Sequence, residues 1–315
     1  MLRTERGRDQ MNGDAGHDGS QKGVLDRRKL PDSGFDALWD AIILDQQLKD
    51  RLLSQAVLNF TVRPRLDEST LPLHGVILLV GPPGTGKTSL ARALASRTAS
   101  TVRGLGTFQY LEVEPHALAS SSLGKSQQAV RHLLGTTVAE AASQGPLIVV
   151  LDEVETLAAD RTRMSLEANP VDVHRATDAV LAQLDHLARQ YKELLFIATS
   201  NFASAIDEAF VSRADLVATV GLPTPEAAER ILRDSVAALG KAFPKLKDLA
   251  TETSLSKAAK LCHGMDGRRI RKVVLSALAQ DKQIALNPER LTAQAIVQAA
   301  DHAAKELSAR NKEAK

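Results

Sequence analysis

Val76-Ile77-Leu78-Leu79-Val80-Gly81-Pro82-Pro83-Gly84-Thr85-Gly86-Lys87-Thr88-Ser89-Leu90-Ala91 is the stretch on which the fold turns. An apolar run bounded by glycine reads as a buried strand, and the pattern from Ser89 through Leu94 reads as a helix. Between them, Gly81 to Thr88 fill every position of a phosphate-binding loop. Its glycines let backbone N–H groups turn inward around phosphate oxygens, and the helix N-terminus adds a favourable dipole. Lys87 can reach the β- and γ-phosphates as a point charge, while the Thr88 hydroxyl can ligate Mg²⁺. The plainer reading, a glycine turn at a strand end, does not account for all eight positions in this context.

Composition narrows the classes around that loop. The chain has 315 residues and a formal charge of +2, so about two domains are expected and no strong attraction to nucleic acid or membrane. Aromatics make up 3%, too few for stacking platforms on single-stranded nucleic acid. A single cysteine, Cys262, excludes an internal disulfide and any multi-cysteine metal site. No apolar run spans a bilayer and no secretory h-region opens the chain, so a cytoplasmic protein is expected. The histidines, including His116, His132, His174 and His186, show neither metal spacing nor a paired nucleophile.

Along the chain, residues 1–31 lack apolar periodicity and read as a disordered tail, with Arg27-Arg28-Lys29 as a solvated basic run. A helical stretch follows from Phe35 through Leu38, Ile42, Leu48, Leu52 and Val57. Strand-like runs recur at 108–113, 147–151, 194–199 and 216–221, separated by helical patterns that include 127–142 and 173–189. That alternation predicts an α/β domain with a parallel sheet over 32–222. At Thr224 the texture changes. Thr224 suits an N-cap, Pro225 the first helical position and Glu226 the first turn. Helices near 225–239, 254–262, 268–280 and 292–307 predict a small all-helical domain over 223–308, with 309–315 as a tail.

Two further strands end in polar groups. Leu147-Ile148-Val149-Val150-Leu151 runs into Asp152-Glu153, where Asp152 can orient a metal's coordination shell and Glu153 can polarise an attacking water. Phe196-Ile197-Ala198-Thr199-Ser200 runs into Asn201, an amide that can position that water or sense the γ-phosphate, or simply form a turn. Arg213, in Ala209-Phe210-Val211-Ser212-Arg213-Ala214-Asp215, can stabilise transferring phosphoryl charge from a neighbouring subunit, or serve as a surface ion-pair partner.

Phosphate loop, Asp-Glu strand, Asn strand, arginine and helical lid together resemble the AAA+ ATPases from Phe35 to Leu307. The resemblance implies an AAA+ parallel-sheet P-loop domain with a helical lid. It also implies ATP and Mg²⁺ as cofactors, with Thr88 and Asp152 on the metal. Gly81, Pro82, Pro83, Gly84, Thr85, Gly86, Lys87, Thr88, Ser89, Asp152, Arg268 and Ile42 would contact the nucleotide. Arg268 comes from Gly264-Met265-Asp266-Gly267-Arg268-Arg269-Ile270-Arg271-Lys272, which matches the lid arginine element. Within that family, this stretch is similar to the pachytene-checkpoint (thyroid-receptor-interactor) type, the remodellers of HORMA-domain proteins. So are Leu38-Trp39-Asp40, Asp152 through Arg161, and Val211-Ser212-Arg213-Ala214-Asp215 with its single arginine.

Two departures shape the expectation. Eukaryotic members carry a folded N-terminal domain, whereas a short tail precedes Phe35 here. This resembles bacterial members whose HORMA partners control nucleotidyltransferases in antiphage cyclic-nucleotide signalling. The pore loop, expected at Ser122, Leu123 and Gly124, has serine in place of the usual aromatic. Such a Ser-rich stretch reads equally as a solvated linker, and as a pore loop it implies a weaker apolar grip. The segment 161–170, with Arg163 and Glu167, would be a second pore-facing loop. The resemblance implies a homohexamer that partly unfolds a HORMA client, hydrolysing ATP with Glu153, Asn201 and a neighbour's Arg213. An activator of a metabolic enzyme, an ATP-gated scaffold and a DNA-processing motor stand as alternatives.

Overall fold

The computed structural model describes residues 23–67, 72–113, 125–156, 158, 170–202, 204 and 206–313. The elements are β1 (Val24–Leu30), α1 (Ser33–Ala41), α2 (Gln46–Thr61), β2 (Val76–Val80), α3 (Lys87–Thr101), β3 (Phe108–Val113), α4 (Lys125–His132), α5 (Ala139–Ala142), β4 (Leu147–Leu151), α6 (Pro170–Gln190), β5 (Leu194–Ser200), α7 (Glu208–Val211), β6 (Leu216–Thr219), α8 (Pro225–Ala242), α9 (Ser254–Leu261), α10 (Gly267–Ala279), α11 (Lys282–Leu286) and α12 (Ala293–Glu313).

Six strands form one sheet in the order β1-β3-β4-β5-β2-β6. All neighbouring pairs are parallel except β1 with β3. Alternate residues of each strand feed opposite faces, as the period of two requires. Val76, Leu78, Val149 and Phe196 join the core beneath α6. Ile77, Leu79, Ile148 and Ile197 join the core beneath α1, α2 and α3. Strands buried on both faces read as continuous apolar runs, which is how β2, β4 and β5 stand out in the sequence. A third core, built around Leu232, Val236, Leu255, Ile270, Val274 and Ile296, holds α8, α9, α10 and α12 together.

The expected tail over 1–31 is corrected at its C-terminal end, because Val24–Leu30 is a strand paired antiparallel with β3. Its charges hid it. Leu25, Arg27 and Lys29 face outward, as edge strands commonly arrange charge. Inward-leaning Arg28 pairs with Asp26 at 2.5 Å and lies 4.4 Å from the Phe35 ring centroid. The C-terminal tail is also corrected, since α12 continues to Glu313 with no glycine or proline to stop it. The helix expected from Phe35 to Val57 is two helices. Ile42 is extended, and the Asp45 carboxylate accepts from Gln47 N–H to start α2 afresh. The pattern over 127–142 contains a π-helical stretch, Leu133–Val138, between α4 and α5. Among the described residues, no helix is long and apolar enough to cross a membrane.

Candidate nucleotide site

The strand order explains where chemistry collects. β2 lies between β5 and β6, and β5 lies beside β4. The carboxyl ends of these parallel strands therefore deliver the glycine loop, Asp152-Glu153 and Asn201 to one place, the usual ligand position of an open α/β sheet.

Within the loop, glycine is required by space as well as torsion. A Cβ on Gly81 would lie 2.1 Å from the Val220 carbonyl oxygen. One on Gly84, at φ +82°, would lie 2.4 Å from a carboxylate oxygen of Asp266, the N-cap of α10. The loop is thus in direct contact with the lid. Lys87 folds back, donating to the carbonyls of Gly81 (2.8 Å) and Pro82 (2.9 Å) and to Asn201 Oδ1 (2.9 Å). Burial pushes its ammonium below the ordinary lysine value, while the carboxylates of Glu155, Asp152 and Glu153 pull it back up. Thr85 closes the turn by donating to Pro82 O at 2.9 Å. No side chain caps α3, so its first amides are available to a phosphate group.

Three hydroxyl and carboxylate groups interlock beside the loop. Thr88 Oγ1 donates to Asp152 Oδ1 at 2.7 Å, and Thr199 Oγ1 donates to the same oxygen at 2.6 Å. The Glu153 amide donates to Thr199 Oγ1 at 3.1 Å. Glu153 is the only non-glycine residue at positive φ (+55°) among those described, a conformation that costs about 1–2 kcal/mol. Its Oε1 accepts from Asn201 Nδ2 at 3.0 Å, and Glu155 Oε1 accepts from the Asn201 amide at 3.0 Å. Thr88 and Asp152 side by side form a set of hard oxygen donors that fits Mg²⁺. Thr199 and Glu155 carry no signal in the sequence, because threonine suits any strand and an acid in a turn has no spacing signature.

Two cavities meet at the loop. One, of about 410 Å³, is lined by Pro83, Lys87, Thr88, Asp152, Glu153, Asn201 and Arg268. The other, of about 860 Å³, lies between the Ile42–Leu44 linker, Gly84–Gly86 and lid residues that include Ala227 and Ile231. Ser89 and Arg271 line both. Ile42 reaches this wall because α1 stops there, and Lys49 holds that stop by donating to Trp39 O at 2.7 Å.

Arg213 is elsewhere. Asp215 N–H donates to Val76 O, and Leu216 pairs with Ile77, which puts Arg213 at the opposite end of β2 from the loop. Five residues of strand separate the two, roughly 16 Å. Its guanidinium is clamped by Asp185 of α6 (Nε–Oδ1 2.7 Å, Nη2–Oδ2 2.8 Å) and donates to Ala209 O at 2.6 Å. Each partner stabilises the other's charge, holding Asp185 below the usual carboxylate range and Arg213 above the usual guanidinium one. Asp215 accepts from the amides of His74, Gly75 and Val76, tying the start of β6 to the start of β2. Ser122, Leu123 and Gly124, and the segment 161–169, lie outside the described residues.

A family model for the ATPase family associated with various cellular activities (AAA) matches residues 77–222. The chain is 56% identical over 271 residues to CD-NTase-associated protein 6 of Pseudomonas aeruginosa, covering 86% of this chain and 89% of that one. It is 34% identical to a pachytene checkpoint protein 2 homolog of Oryza sativa, over 79% of this chain, and spans 60% of that relative's length. It also shares the fold of a chain in the E. coli MS115-1 HORMA:CdnC:Trip13 complex, with a TM-score of 0.73 at 18% identity, covering 89% of this chain and 95% of that one. The chain belongs to the AAA ATPase family, on the branch that includes CD-NTase-associated protein 6 and the pachytene checkpoint protein 2 homologues.

Proposed function

We propose that this protein is a ring-forming ATPase that pulls on a HORMA-domain client and partly unfolds it. Disassembly of the HORMA complex would switch off antiphage second-messenger signalling. The observation that carries the reading is the junction of Lys87, Thr88, Asp152, Glu153 and Asn201 at three adjacent strand ends. Similarity to CD-NTase-associated protein 6 supports the setting. The solved complex, which names HORMA and CdnC beside Trip13, supports a HORMA protein and a nucleotidyltransferase as partners.

The geometry suggests how the residues divide the work. Lys87 and the uncapped amides of α3 bind and orient the phosphates of ATP, with Ile42, Ser89 and Arg268 on the surrounding walls. Thr88 and Asp152 would hold Mg²⁺, whose charge, when bound, offsets that of the phosphate oxygens. Glu153 takes the role of general base toward a water, with Asn201 orienting both that carboxylate and Lys87. Arg213 cannot reach its own loop across the sheet, which supports its serving the nucleotide of the next copy in a homohexamer. Lid movement, felt at the contact of Asp266 with Gly84, would carry interface closure to pore loops such as Ser122-Leu123-Gly124.

A direct test loads the Glu153→Gln protein with ATP and mixes it with a purified HORMA–nucleotidyltransferase complex. Retention of the HORMA protein is expected, with none when Lys87→Ala is substituted, and the parent protein should release the nucleotidyltransferase only with ATP. Retention regardless of Lys87, or no ATP-dependent release, would sink the remodelling assignment.

A further inference from the structure

We infer that Thr199 is a positioning residue for ATP hydrolysis, its single hydroxyl setting the two acids of the site against each other. The inference rests on the reading of Asp152 and Glu153 given above, and adds a residue to that machinery.

Thr199 stands where the strand period calls for an apolar side chain. Leu195 and Ile197, the alternate positions on the same face of β5, belong to the core beneath α3. Thr199 pairs in register with Leu79 and is 1% exposed. A hydroxyl there must find partners, and both are catalytic candidates. The bond directions are fixed by chemistry, because an amide can only donate and a carboxylate oxygen accepts. Thr199 Oγ1 therefore accepts from the Glu153 amide at 3.1 Å and spends its own proton on Asp152 Oδ1 at 2.6 Å.

Each bond answers a local need. Asp152 Oδ1 receives two hydroxyls, Thr88 from α3 and Thr199 from β5, so its carboxylate is fixed from both sides. Glu153 sits at φ +55°, a left-handed conformation that persists only when its surroundings hold it. The Thr199 anchor on its amide is one such restraint. With that anchor, the Glu153 side chain leaves the strand end toward Asn201, where the two bond at 3.0 Å. Thr199 borders the same cavity as Asp152 and Glu153, and its hydroxyl, bonded to both residues, orients the groups that meet substrate or metal.

Thr199→Val is the informative change, since valine keeps the shape among Leu195 and Ile197 and removes only the hydroxyl. The full-length Thr199→Val and Thr199→Ser proteins would be compared with the parent in steady-state ATP turnover, nucleotide binding, Mg²⁺ titration and thermal unfolding. Thr199→Val should lose about tenfold or more in kcat and need more Mg²⁺ for half-maximal turnover. Nucleotide affinity and unfolding temperature should hold, and Thr199→Ser should recover most of the turnover. Parent-like kcat in Thr199→Val, or a loss that serine does not repair, would overturn the inference. Glu153→Gln, assayed in parallel, separates the two levels. If it hydrolyses ATP normally, the reading of the acids themselves fails. If it is inactive while Thr199→Val is not, only the role of Thr199 falls.

Discussion

The two ends of β2 hold their polar groups in opposite ways. At the carboxyl end, Lys87, Thr88, Asp152, Glu153, Thr199 and Asn201 bond to one another across elements that are neighbours by topology. At the amino end, Arg213 bonds to Asp185 and Ala209, a strand's length away from the glycine loop. One chain therefore assembles the binding half of an ATPase site and displays the arginine on its far side. On the proposed reading a complete site would need two copies, and turnover would depend on their contact.

The largest expected effect probes the carboxyl end alone. Glu153→Gln should lower ATP turnover on the order of 10²- to 10⁴-fold, the usual worth of a general base. ATP binding should persist, because Lys87 and the loop amides are untouched. Normal hydrolysis in that variant would remove Glu153 from its role.

A smaller effect tests how the loop reports to the lid. Gly84→Ala forces a Cβ into the Asp266 carboxyl at 2.4 Å and strains a residue at φ +82°. A penalty of about 1–2 kcal/mol, roughly tenfold in nucleotide affinity, is expected from calorimetric titration. Unchanged affinity would mean the lid contact is dispensable for binding.

The amino end can be weakened by acid. The Asp185 carboxyl titrates below its ordinary range because of Arg213, so the clamp favours the folded state wherever an unfolded aspartate is ionised. That contribution is complete above about pH 4 and fades as pH falls through the lower folded value. The pair is partly exposed, at 23% and 30% of side-chain surface, which limits its worth to under about 1 kcal/mol. Asp185→Asn should therefore cost little stability at neutral pH and flatten this part of the acid limb in thermal unfolding. Parallel acid limbs for variant and parent would show that the clamp carries no such energy.

The smallest expected signal concerns the lid core. Burial pushes the Cys262 thiol up to about 11, so a neutral-pH thiol reagent should label the folded protein slowly and the denatured protein at once. Rapid labelling of the folded protein would mean the lid core opens readily.

Legibility in the sequence follows the same divide. Strands β2, β4 and β5 announce themselves as apolar runs followed by polar groups, so Lys87, Thr88, Asp152, Glu153 and Asn201 can be named from the sequence. Thr199 has no such signal, because a threonine among apolar neighbours looks like ordinary strand filler. Asp185 lies 28 residues before Arg213 on a helix face, and only the fold brings them together. β1 is hidden in the sequence because charge masks its period, and the edge pairing is made by the backbone.

The most direct measurement mixes two defective proteins. Glu153→Gln keeps Arg213 and Arg213→Ala keeps Glu153, so each alone should be nearly inactive. Co-assembled, an Arg213→Ala copy binding ATP beside a Glu153→Gln neighbour owns one complete site. Turnover well above the sum of the separate proteins, rising with the mixed fraction, is the expected result. Turnover that never exceeds that sum would contradict the division of the site between two copies.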